Sequence, residues 1–109
     1  MKIQEMKRRL KAGEDSLELS IQKWQDIVDG TGSDQAELNC ALCEKFRIHV
    51  EYGQACNGCP VKKTTGKTYC EGSPYFHYAD ADDQEASDVK LAELAQAELD
   101  FLISLRQKP

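Results

Sequence analysis

Asn-Cys-Ala-Leu-Cys at residues 39–43 and Cys-Asn-Gly-Cys-Pro at residues 56–60 carry the chemistry of this chain. All five cysteines lie between positions 40 and 70, the last being Cys70. Two Cys-x-x-Cys pairs at this separation are the usual arrangement for a tetrahedral metal site with thiolate ligands. Each pair forms a tight turn, called a knuckle below, that directs both sulfurs at one ion. The sequence therefore predicts a structural metal site.

The predicted ion is Zn²⁺, held by four of the five thiolates, with Cys70 either spare or replacing one member of the set. An iron–sulfur cluster is the alternative, because Cys59 is followed by proline, although the usual ferredoxin spacings are missing. A redox Cys-x-x-Cys pair and unligated core thiols are weaker interpretations. His77 and, less readily, His49 are additional candidate ligands. The leading ligand set is Cys40, Cys43, Cys56 and Cys59.

Composition and length limit the kind of protein this can be. A chain of 109 residues with 30% charged and 7% aromatic residues predicts one domain, 1–109, with a modest core. A metal would add stability to such a core. The N-terminal segment does not resemble a signal peptide, and no segment has the length and apolarity of a membrane span. We therefore expect a cytoplasmic protein without membrane contact, whose clustered cysteines are reduced.

Residues 1–30 are predicted to form two N-terminal helices. The first ends at Gly13, and the second begins with a capping box formed by Asp15 and Glu18. A single long helix is the alternative, because the apolar positions share a heptad register. Trp24 lies within the apolar stripe of the second helix and is interpreted as a core residue. The other members of that stripe are Leu17, Ile21, Ile27 and Val28.

Residues 34–78 are predicted to form the cysteine-rich metal centre. Apolar and polar residues alternate over 46–52, which favours a short strand, with a helix running on from Cys40 as the alternative. Thr65-Gly66 is interpreted as a hairpin turn within 61–69. Residues 82–107 are predicted to form an acidic C-terminal helix that begins with a capping box at Asp82 and Glu85. The expected fold class is mainly α, with a small irregular or β cysteine-ligated metal-binding centre and helices at both ends.

No nucleophile, base and orienting group can be identified, so we expect no enzymatic activity.

The last thirty residues carry eight acidic and three basic groups, which accounts for the whole net charge of −5. A negative surface suits a basic protein partner, and the apolar half of the same helix suits self-association. The alternative is nucleic-acid binding through basic and aromatic groups around the predicted hairpin. The acidic set is Asp82, Asp83, Glu85 and Asp88; the alternative set is Lys62, Lys63, Lys67 and Tyr69.

The cysteine pattern also carries a resemblance. Residues 39–43, Cys-Asn-Gly-Cys-Pro-Val at 56–61, Thr65-Gly66 and Cys-Glu-Gly-Ser-Pro-Tyr at 70–75 resemble small cysteine-rich proteins of tailed bacteriophages and prophages. The Lys23-Trp24 pair and the glycine turn that follows it also resemble that group. The group is uncharacterised, so the resemblance implies a phage-encoded protein in the host cytoplasm and no activity. Small phage proteins often bind host machinery, which suggests an inhibitor of a host factor or defence system.

Overall fold

The structure, a computed structural model, describes residues 2–32, 34, 40–48, 58–66 and 73–106. Within these residues the chain is mainly helical, as predicted, and it contains no strand. A π-helical segment, Glu44–Ile48, follows α3 without interruption. The helices are α1 (Ile3–Lys11), α2 (Ser16–Val28), α3 (Ala41–Cys43), α4 (Pro60–Thr65), α5 (Tyr75–Asp83) and α6 (Asp88–Ser104).

The N-terminal segment forms two helices, which confirms the prediction. Ala12 ends α1, and Gly13 follows it with a φ of 96°. That left-handed conformation is easily adopted by glycine. Asp15 is the N-cap of α2, since its Oδ1 accepts the backbone N–H groups of Leu17 at 2.8 Å and Glu18 at 3.1 Å. The carboxylate therefore satisfies donors that the first turn leaves without helical partners.

Helix α2 is central because it is buried on two faces. Leu17, Ile21 and Trp24 belong to the main core, where α2 packs against α6. On another face, Leu19 joins a smaller cluster with Met6 of α1 and Ala41 of α3. The predicted apolar stripe is thus confirmed, but it accounts for only one of the two packed faces.

The main core is closed by aromatic rings from α5. Trp24 is only 4% exposed. Its ring meets Tyr75 and Tyr78 edge-on, at centroid separations of 5.8 and 5.0 Å. Such edge-to-face pairs add to the gain from burying the rings. Trp24 is therefore a core residue, as predicted. From α6 the core receives Ala95, Leu99 and Leu102.

The β elements predicted for the centre are wrong wherever the structure describes them. Residues 46–48 continue the helix that begins after Cys40, as the alternative interpretation had it, and 49–52 lie outside the described residues. The predicted hairpin is replaced over 60–65 by α4, and 67–69 lie outside. Pro60 occupies the first turn of α4, where its fixed φ suits a helix. Gly66, with a φ of 76°, ends α4 instead of forming a hairpin turn.

The acidic C-terminal region contains two helices where one was predicted. Asp82 and Asp83 end α5, and α6 begins after Ser87, whose Oγ accepts the Lys90 N–H at 3.2 Å. The capping box at Asp82 and Glu85 is therefore wrong. Between the helices, Glu85 has a φ of 55°, which is incompatible with a continuous helix. Among the described residues, no helix is long and apolar enough to cross a membrane.

Candidate functional site

The first knuckle is held by backbone hydrogen bonds at the start of α3. Cys40 is the N-cap of this helix, and the Cys43 backbone N–H donates to its sulfur across 3.3 Å. Leu42 is buried, and its N–H contacts the hydroxyl of the buried Ser20 at 3.4 Å. The knuckle is therefore anchored on α2, with both cysteines half-buried.

The surroundings of Cys40 favour its ionised form. A hydrogen bond from the Cys43 side chain lowers the pKa of the Cys40 thiol to about 6. The charge of Lys23 and the backbone N–H groups of Cys43 and Leu42 act in the same direction, while burial opposes them. A thiolate is the form that binds metals and reacts as a nucleophile. The surroundings thus favour one of the thiolates that a metal site needs, at Cys40.

Cys59, the last residue of the second pair, is buried and is the N-cap of α4. Gly58 before it has a φ of 86°, as expected for a knuckle. A Cβ added to Gly58 would lie 3.3 Å from Cε1 of Phe46. Phe46 belongs to the π-helical segment that follows Cys43, so the end of the second pair packs against the helix that leaves the first.

The complete predicted ligand set is not brought together by the described residues. Within them, no group of three or more His, Cys, Asp or Glu side chains is arranged to hold a metal ion. Cys56, Cys70 and His49 lie outside the described residues. His77 is exposed on α5. Of the predicted donors, Cys40 and Cys43 are in mutual contact, and Cys59 belongs to a neighbouring segment.

Behind the first knuckle lies a buried ion pair that the sequence did not reveal. The Lys23 Nζ is 2.9 Å from the Asp34 Oδ1, with side chains that are 4% and 9% exposed. The hydroxyl of Tyr75 donates to the second oxygen of Asp34 at 3.1 Å. The ammonium also lies 5.2 Å from the centre of the Trp24 ring. Because buried charges need partners, this pair holds Asp34 against α2.

Glu98 is the second unexpected buried group. It is 3% exposed, and among the described residues its Oε2 has no hydrogen-bond partner. Burial, followed by the charge of Cys40, raises the pKa of this carboxyl to about 8; Asp34 adds to the effect, while Lys23 and a backbone hydrogen bond to Tyr75 oppose it. Glu98 is therefore mostly protonated at neutral pH. One sequence signal was present, since position 98 falls in the apolar series 91, 94, 95, 98, 102 and 105.

The four predicted partner-binding carboxylates are exposed around the α5–α6 turn. Asp82 and Asp83 lie at the C-terminal end of α5, where the helix dipole disfavours negative charge. Glu85 lies in the turn, and Asp88 begins α6. The acidic groups thus surround a turn between two helices and do not form a stripe along one helix.

The basic residues of the nucleic-acid alternative do not flank a hairpin turn. Lys62 and Lys63 are successive residues of α4, half-buried and exposed respectively. Lys67 and Tyr69 lie outside the described residues. The interleaving of cations and aromatic rings on which that alternative depended is therefore not brought about by the described residues.

Comparison with known proteins adds no relative. Neither protein-family models, nor characterised proteins, nor solved structures gave a match to this chain.

Proposed function

We propose that this chain is a non-enzymatic protein-binding module whose centre is held together by a zinc ion. The observation that carries the zinc proposal is the position of Cys40, Cys43 and Cys59 in neighbouring segments. Cys40 and Cys59 each cap a helix, and the Gly58 backbone packs against Phe46, one helical turn beyond Cys43. Contact between these segments gives the two knuckles adjacent anchoring points.

The donor chemistry supports the same proposal. Backbone N–H groups at a helix start stabilise negative sulfur, and Cys40 already accepts such a bond. Cys56 is the proposed fourth ligand beside Cys40, Cys43 and Cys59, while Cys70 is spare. A four-thiolate zinc site is closed to substrate, so the ion would act by joining segments and not by activating water.

Metal analysis of the full chain, purified without added zinc, tests this proposal. We expect about one zinc per chain, retained through gel filtration. We also expect Cys40 and Cys43 to resist a thiol reagent until a chelator is added. A zinc content near zero, with these thiols freely reactive in the folded protein, would refute it. A brown colour with visible absorbance would indicate that the chain binds an iron–sulfur cluster instead of zinc.

For the binding surface we propose the α5–α6 turn, in contact with a basic protein partner. Support comes from four exposed carboxylates of like charge around one turn. Asp82 and Asp83 lie where they oppose the helix dipole. Burial raises the pKa of the Tyr78 hydroxyl, and the charge of Asp82 adds to that effect. Complementary charge on a partner would relieve this repulsion. An inhibitor of a host factor, as the phage resemblance implies, is a partner-binding protein of this kind.

Paired charge reversals test the surface. Cross-linking in bacterial lysate would first identify a partner, whose affinity for the full chain is then measured at several salt concentrations. We expect Asp82→Lys with Asp83→Lys to weaken binding by about tenfold or more. The control is Glu93→Lys with Asp100→Lys, two exposed positions on α6. Equal affinities for both double variants would rule out the turn as the binding site.

A further inference from the structure

A cleft of about 680 Å³ lies on the side of the molecule where α2 begins and α6 ends. Leu17, Phe46, Pro60 and Leu105 supply its apolar part. It also touches the second knuckle through Gly58. This volume lies within the usual range for ligand sites in proteins.

The charged residues that line the cleft differ in whether another residue already binds them. Asp15 lines it, but its Oδ1 caps α2. Glu18 also lines it and is held by Arg106 through two hydrogen bonds of 2.7 and 2.8 Å. Lys45 and Lys63 are exposed at the cleft, and no described carboxylate pairs with either of them. The cleft therefore offers two cations beside an apolar surface, in a chain whose net charge is −5.

We propose that this cleft binds an acidic peptide segment in which one bulky apolar side chain lies between carboxylates. The apolar side chain would contact Phe46 and Leu105, and the carboxylates would pair with Lys45 and Lys63. The site goes beyond the function proposed above, because it lies away from the α5–α6 turn and selects the opposite charge. The chain would thus present two recognition surfaces.

The lining favours a peptide over a nucleic acid. A phosphate backbone carries a charge on every nucleotide and would meet Asp15 and Glu18 at the same cleft as the lysines. Base stacking needs several exposed rings, whereas Phe46 is the single aromatic residue in the described lining. Two cations at an apolar surface instead match a short segment with few charges and one anchoring side chain.

NMR titration of the metal-loaded full chain tests the proposal. The probe is the blocked pentapeptide Ser-Glu-Phe-Glu-Ser, in which one bulky apolar side chain lies between two carboxylates. We expect saturable shifts of the backbone amides of Leu17, Lys45 and Leu105, with no comparable shifts at the α5–α6 turn. Lys45→Glu with Lys63→Glu should weaken binding by about tenfold or more. The matched control is Lys7→Glu with Lys11→Glu on α1. This variant should bind the peptide with the same affinity as the unaltered chain.

Several outcomes would overturn the proposal. One is the absence of saturable shifts at the cleft; another is equal binding of a peptide with lysine at both acidic positions. Tighter binding of single-stranded oligothymidylate at the same amides would assign the cleft to nucleic acid instead. Should the double Glu variant lose its folded amide spectrum, Lys45→Gln with Lys63→Gln provides the same comparison without charge reversal. Unchanged affinity in that folded variant would also refute the proposal.

Discussion

The interface between α2 and α6 and the segment that carries the cysteines differ in what holds them. The interface buries Trp24, Leu99 and Leu102 in an apolar core, which is stabilised by removing apolar surface from water. The cysteine segment has short helices, α3 and α4, of three and six residues. Helices of this length are not stable by themselves, so they depend on the burial of Leu42 and Val61 and on contacts at their ends. One region is specified by apolar periodicity and the other by caps, glycines and proposed metal ligands.

The largest effect is expected from removing one proposed ligand. Cys43→Ser should abolish zinc binding and unfold the cysteine segment, because structural zinc contributes on the order of 10 kcal/mol to folding in small zinc domains. Cys70→Ser, the matched control at the spare thiol, should keep zinc and fold. Zinc content and far-UV circular dichroism measure both. If Cys70→Ser collapsed while Cys43→Ser retained zinc, the proposed ligand set would be wrong.

Truncation of the central aromatic tests the other region. Trp24→Ala should lower the free energy of unfolding by about 3–5 kcal/mol, because it removes a buried side chain and both edge-on contacts with tyrosine. Phe76→Ala is the control, since Phe76 is 46% exposed, and it should cost about 1 kcal/mol or less. Denaturant titration of both variants measures the difference. Similar losses would contradict the assignment of the core to Trp24.

A smaller effect, dependent on pH, is expected from Glu98. Burial raises the pKa of its carboxyl from 4.5 to about 8, so the folded state binds this proton more tightly than the unfolded state. Stability from this site is therefore full below pH 4.5 and is lost as the pH rises through 8. Between pH 5 and 7 the loss should be about 2 kcal/mol, with Lys23, Asp34 and Cys40 as the charged groups that act on Glu98.

Glu98→Gln should remove that pH dependence, since the amide has no proton to lose. Glu93→Gln, at an exposed position of α6, is the matched control and should keep it. Denaturant midpoints at pH 5, 6, 7 and 8 would measure both variants. The same slope for the two substitutions would mean that Glu98 is ionised in the folded protein.

The smallest effect is expected at the ion pair that joins the end of α6 to the start of α2. Arg106 and Glu18 form a two-bond contact, but their side chains are about half exposed, at 48% and 50%. Solvent and salt screen such pairs, so Arg106→Ala should change stability little. Denaturation at low and high salt checks this. A clear loss at low salt that disappears at high salt would indicate that the pair contributes to the interface.

Periodicity explains which parts of the fold were predictable. The end of α1 could be predicted from Gly13 and the start of α2 from Asp15, because a positive φ and a side-chain cap both act locally. The α5–α6 turn did not follow, because Asp82 and Ser87 are both acceptable caps and the choice depends on packing between helices. The alternation over 46–52 suggested a strand, but in the described part the chain continues the helix that the first knuckle begins.

The sequence predicted the cysteines of the candidate metal site, but it did not predict the buried charged groups beside them. Cysteine spacing indicated the knuckles, and the structure gives Gly58 the positive φ that a knuckle requires. Lys23 and Glu98 were missed because charged residues are almost never fully buried without partners. The carboxylate partner of Lys23, Asp34, lies eleven positions away in the sequence, so no local pattern predicts the ion pair. Long-range electrostatics of this kind depend on the complete packing of α2, α5 and α6.

Hydrogen exchange with and without a chelator tests most directly whether a metal holds the cysteine segment while the helical interface stands alone. Deuterium uptake would be followed in peptides covering α2, α6 and residues 40–66. We predict that chelation of zinc removes protection from residues 40–66, while the middle turns of α2 and α6 keep most of theirs. Equal deuterium uptake in every peptide with and without the chelator would contradict the account, provided that metal analysis shows that the chelator had removed the metal.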